Sequence, residues 1–189
     1  MIADPTLDAL VRSEWAAALE DADLGPVARL VRLVPMPDAK SPDGQDGKTT
    51  PNANKCGTSF DSYNVAIFAG DKSPVVIGAV IRHELQHCQQ LANHGPDLYR
   101  LSNEIYEAIK SDSLTSGKLY NAMPIEVEAN AVAAAYARRR FGADAVLALL
   151  PRYESLLGPC LAADYETPLD HRMQAFLIAM TTIADSHRP

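Results

Sequence analysis

Cysteine is scarce in this 189-residue chain: Cys56, Cys88 and Cys160 are too few for a disulfide scaffold and form no Cys-x-x-Cys metal pair. That usage fits a reducing compartment. No run of 18 apolar residues occurs, which excludes a single apolar helix long enough to span a bilayer. The first residues carry Asp4, Asp8, Glu14 and Glu20 instead of a basic start followed by an apolar stretch. No export signal is therefore expected, and the expected location is the cytoplasm. An excess of positive charge is missing as well. The formal net charge is -7, and the scattered Lys and Arg make no stripe that could follow a phosphate backbone or an anionic membrane surface. Neither nucleic acid nor a membrane is an expected partner. Arg138-Arg139-Arg140, the only cationic run, falls at an expected helix C-terminus, where positive charge complements the helix dipole. Internal repeats and low-complexity tracts are also lacking.

What is present suits a single domain over residues 1–189. A content of 47% hydrophobic and 22% charged residues is ordinary for a globular chain, and this length can bury a core without disulfide or metal staples. Asp4-Pro5 reads as an N-cap and first helical position, and Leu7, Leu10, Val11, Trp15 and Ala18 recur at helical spacing, so a helix is expected from 5 to about 21. After Gly25-Pro26, the segment Val27 to Met36 reads as a strand, stopped by prolines. Residues 37–55 are polar and rich in Pro, Gly, Asp and Asn, and are expected to be a long loop. Tyr63 to Ala69 reads as a second strand. Ser73-Pro74 then opens a helix expected to run to about Asn93, before Gly95-Pro96. Further helices are expected over 97–110, 124–141, 143–157 and from Pro168 to about Asp185, with a linker over 111–121. The expected class is α+β, a small sheet and a key helix followed by a mostly helical C-terminal half.

That key helix carries His83-Glu84-Leu85-Gln86-His87. Residues four apart share a helix face, so the two imidazoles can reach one point, as two of the ligands of a zinc ion at about 2.0–2.1 Å. Glu84 is rotated by about 100° from His83 and flanks such a metal without having to bind it. A base for a metal-activated water belongs there. Cys88 points away from this face and reads as a small buried hydrophobe.

A catalytic zinc keeps three protein ligands and an open position. His94 is near in sequence, but on a continuous helix it lies about 10 Å along the axis from His87, beyond reach. Pro124-Ile125-Glu126-Val127-Glu128-Ala129-Asn130-Ala131 offers two acids at the start of another apolar helix. These are about 200° apart around the helix, so only one can face a given metal. Asn130 stacks one turn after Glu126, whereas Glu128 is followed by Val132 and reads as a rim acid.

The pairing of His-Glu-x-x-His with Glu126-x-x-Ala129-Asn130 resembles the gluzincin branch of zinc metallopeptidases, small bacterial intracellular ones in particular. Arg82 before His83 and Gln89 after the motif depart from the family's usual surroundings. The resemblance covers residues 63 to about 140 and implies a zincin-like fold. It implies zinc ligation by His83, His87 and Glu126, orientation of a histidine by Asn130, and Glu84 as catalytic proton carrier. A peptide or protein substrate is implied too, with the strand Tyr63 to Ala69 bordering the cleft. Tyr99, Tyr106, Tyr120, Tyr136 and His171 are available to stabilise an oxyanion. The same donor set also serves Fe2+ in two-histidine, one-carboxylate oxygenases, and a zincin-like binding module without turnover is a third possibility. Cys56 and Cys160 can pair only in an oxidising compartment.

Overall fold

The computed structural model describes residues 5–35, 46–70, 72–110, 116–145, 147 and 165–186. Helix α1 (Pro5–Asp21) occupies the span that the apolar spacing predicts. Leu7, Leu10, Val11 and Trp15 pack against a core that includes the fully buried Ala18. Strand β1 (Val31–Pro35) is shorter than predicted, because Gly25–Leu30 forms a 3-10 helix with proline in its first turn. Proline pre-sets φ for such a turn, and this outweighs the strand-like alternation of Val27 to Leu30.

Strand β2 (Gly47–Ala53) lies where a loop is expected. It is an edge strand, antiparallel to β3 (Phe60–Ile67), and β1 flanks β3 in parallel on the other side. Tertiary pairing overrides the poor strand propensity of Gly47, Lys48, Pro51 and Asn52, and Pro51 is tolerated because an edge strand leaves its nitrogen outside the ladder. Since β3 is central, both its edges are used. The strand bordering the key helix with an outer edge is β2, which corrects the expectation placed on Tyr63 to Ala69.

Helix α2 (Pro74–Lys110) is broken at Gly95, whose φ of 70° and ψ of -166° are non-helical and whose positive φ suits only glycine, with Pro96 restarting the helix. Its first part lies on the sheet: Ile77, Ile81, Leu85 and Cys88 join Tyr63, Val65 and Ile67 in one apolar cluster. In its second part Leu98, Ile105 and Ile109 join Met123, Ile125, Leu169 and Met173 in another. Helix α3 (Ser116–Ala122) replaces much of the expected linker, drawn in by packing of Leu119 and Tyr120 on this second cluster. Helices α4 (Pro124–Phe141) and α5 (Leu169–Ser186) follow. Most of the helix expected over 143–157, and Cys160, lie outside the described residues. The architecture is α+β, and no helix of the described residues is long and apolar enough to cross a membrane.

Small side chains let α2 and α4 meet: Ala79, Ala133 and Ala137 form a buried contact, and Ala129 is fully buried. Helix α1 closes over the pair through charge. Arg82, 6% exposed, donates to Asp21 at 3.0 Å, and Arg139 donates to the same carboxylate at 2.8 Å. Arg140 and Tyr136 reach the buried Glu14 at 3.3 and 3.5 Å. Part of the cationic run therefore ties α4 to α1. Burial would raise the Asp21 carboxyl, but Arg139 and Arg82 outweigh it and hold it below its ordinary range.

Removing Asp21 leaves Arg82 buried beside the amide oxygen of Gln86 alone, so Asp21→Ala is expected to cost about 3 kcal/mol. Arg139→Ala, at a mostly exposed partner, is expected to cost less than about 1 kcal/mol. Urea unfolding of the two variants checks the order.

Candidate metal centre

The α2/α4 contact sets the first turn of α4 across the face of α2 that carries both histidines. His83 Nε2 and His87 Nε2 are 3.0 Å apart with rings nearly perpendicular, at 89°. Glu126 stands over them, Oε2 at 3.2 Å from His83 Nε2 and Oε1 at 3.4 Å from His87 Nε2. One ligating atom from each of the three residues falls within 4.8 Å of the others. Ligands at about 2.0–2.1 Å around a tetrahedral ion are separated by roughly 3.4 Å, so these spacings fit a zinc-sized cation.

Electrostatics point the same way. Two ring nitrogens turned toward each other need a proton or cation between them. Burial disfavours a charged His87, but Glu126 and, more weakly, Glu84 and Gln90 prevail and push its pKa up to about 9. Burial would likewise raise Glu126, 5% exposed, yet His87 and His83 drive it well below the usual carboxylate range. A proton on His87 is favoured by the same neighbours that would favour a cation.

Glu84 is 6% exposed and sits against β2. Thr49 Oγ1 is 2.8 Å from Glu84 Oε2 and 3.0 Å from the Glu84 carbonyl oxygen. A Cβ at Gly47 would come within 2.7 Å of Glu84 Oε1 and 2.8 Å of Val80 Cγ1. The edge strand thus fixes the Glu84 carboxylate by a hydrogen bond from one residue and by the bareness of another. Neither Gly47 nor Thr49 is visible as a site residue in the sequence, because their strand is not.

Other expectations divide. Tyr120 donates to Glu126 Oε1 at 2.8 Å, and burial together with Glu126 pushes its hydroxyl upward, so it stays a donor. The other four residues offered for an oxyanion lie elsewhere or one layer out: Tyr106 packs edge-on against Tyr120, Tyr99 against Phe60, Tyr136 reaches Glu14, and His171 is exposed. His94 is exposed and apart from the triad. Asn130, half-buried, makes no hydrogen bond to either histidine; Gln90 Oε1 takes His87 Nδ1, at 2.9 Å. Gln90 lies one turn beyond His87 on the same face, a signal that was available in the spacing. Glu128 is not a free rim acid: it pairs with Arg172 and accepts from Gln90 Nε2 at 2.9 Å. Cys88 is fully buried and its thiol is pushed up to about 12, first by burial, as suits a small hydrophobe.

No protein-family model, curated protein or solved structure matches this chain.

Two predictions follow from the geometry. Because the His87 pKa is raised from 6.5 to about 9, its contribution to stability is complete below 6.5 and is lost as pH rises through 9. The lowered Glu126 contributes above its ordinary value of 4.5 and loses that contribution as pH falls below it. Metal-free protein should therefore lose melting temperature between pH 6.5 and 9, and zinc-loaded protein, in which the cation has displaced the proton, should not. Melting curves across that range, with and without zinc, test it; a flat metal-free profile contradicts it. Gly47→Ala, whose Cβ meets Glu84 and not the triad, should lower the melting temperature while leaving zinc uptake equal to the parent's, as thermal unfolding and zinc titration would show.

Proposed function

We propose that the protein is a zinc-dependent hydrolase of peptide bonds, a zincin-like metallopeptidase with His83, His87 and Glu126 as ligands and Glu84 as the proton carrier. The observation that carries this reading is the convergence of two imidazole nitrogens and one carboxylate at zinc-ligand spacing, with a second carboxylate fixed beside them. A zinc ion held by these three residues would supply Lewis acidity, to acidify a water and polarise a carbonyl. Glu84, steered by Thr49, takes a proton from the attacking water and returns it to the leaving amine. Tyr120 holds Glu126 and brings a neutral hydroxyl to the edge of the site.

A peptide substrate is supported by β2. Phe68 N donates to Asp46 O, so the even-numbered residues of β2 face β3 and the backbone groups of Gly47 and Thr49 point outward. An extended chain laid along that edge pairs with both residues that flank Glu84. The donor set alone also suits Fe2+, but a proton carrier held by its own hydrogen bond is a device that hydrolysis needs and oxygen activation does not. The same feature weighs against a silent binding module.

Elemental analysis of protein purified without added metal should find one zinc per chain, and iron in its place would move the reading to an oxygenase. Glu84→Gln should keep the zinc and lower peptide hydrolysis by roughly 10²-fold or more. Glu126→Ala should weaken zinc binding at least 10-fold. Undiminished hydrolysis by Glu84→Gln would overturn the mechanism.

A further inference from the structure

Behind His87 stands a run of side chains that the proposed chemistry does not use. His87 Nδ1 is 2.9 Å from Gln90 Oε1. Gln90 Nε2 is 3.1 Å from the Ile125 carbonyl oxygen and 2.9 Å from Glu128 Oε2. Glu128 Oε1 is ion-paired with Arg172 on α5. Arg172 is itself held, its Nε donating to the Thr167 carbonyl at 2.9 Å and its guanidinium lying 5.8 Å from the Tyr165 ring centroid. Gln90 is buried, 3% exposed.

The polarity of this run allows one arrangement. A guanidinium only donates, and an ionised carboxylate and a carbonyl oxygen only accept. Glu128 and Ile125 O therefore claim the NH2 end of Gln90, which fixes the amide and turns Oε1 toward the histidine. An amide oxygen cannot donate. His87 Nδ1 must carry its hydrogen whether the ring is neutral or charged, and Nε2, facing His83 and Glu126, is the nitrogen left to give up a proton.

We infer that Gln90, Glu128 and Arg172 are positioning residues that lock His87 in the Nδ1–H form with Nε2 aimed at the metal position, making the C-terminal helix α5 part of the site. The inference rests on the zinc reading above for its purpose, though not for its geometry. A plainer role for Glu128 and Arg172 would be to pin α5 to α4, and a charge swap tells the two apart. Glu128→Lys combined with Arg172→Glu keeps an ion pair between the helices but gives Gln90 a donor where it needs an acceptor.

Zinc affinity, measured by competition with a chromophoric chelator, and metal-free thermal unfolding are compared for the parent, Arg172→Ala, Arg172→Lys and the swapped double variant. Arg172→Ala and the swap should each bind zinc roughly 10- to 100-fold more weakly. The swap should nevertheless recover unfolding temperature lost in Arg172→Ala, and Arg172→Lys, still a cationic donor, should keep parent affinity. Parent affinity in the swap or in Arg172→Ala overturns the inference and leaves a tether. Ring nitrogen NMR shifts of His87 in the metal-free parent, at a pH where the ring is neutral, give a readout independent of zinc. The Nδ1–H form supports the inference even if no zinc binds, in which case the zinc reading alone fails; the Nε2–H form overturns the inference.

Discussion

A carboxylate buried to 5% exposure is costly unless its charge is answered, and the rest of this structure is arranged around answering that of Glu126. Two imidazoles and a tyrosine hydroxyl converge on its two oxygens. To bring them there, α4 must cross α2 closely, which explains why the crossing is made of alanines. Leucine in place of Ala133 or Ala137 would push the helices apart and leave the charge without partners. Packing and electrostatics are thus one requirement seen from two sides.

The remaining charges obey a similar division of labour. Asp21, Arg82 and Arg139 bind α1 to the crossing from one side, and Glu128 with Arg172 binds α5 from the other. Glu84 stands outside both networks, with Thr49 as its neighbour on β2. The role proposed for Glu84 suits that setting, since a neutral hydroxyl positions a carboxylate without adding a permanent cation beside it.

Sequence made the helical part of this arrangement visible and the strand part much less so. The histidine pair, Glu84 and the start of α4 follow from spacing, because helical periodicity and proline caps are local signals. The grouping of Glu126, and not Glu128, with the histidines matches the side of α4 on which the sequence argument placed it. Strand β2 stayed hidden because Gly47, Pro51 and Asn52 have no intrinsic reason to be extended; only β3 supplies one. The expectation for Asn130 rests on a motif, whereas the contact to His87 belongs to Gln90, whose spacing carries the signal without a family pattern to point to it. Arg172 could not be found at all, since nothing local records which helix folds back onto Glu128.

The break at Gly95 shares α2 between two apolar clusters, and the ionic triad draws on both: its histidines come from the half seated on the sheet, its carboxylate from a helix whose N-cap, Met123, and second residue, Ile125, are anchored in the other. The centre is consequently a clasp between two apolar clusters. Backbone amides on either side of Gly95 should exchange with solvent as a single unit when the clasp is closed and as two when it is open, so hydrogen exchange reads the state of the site from residues that never touch it.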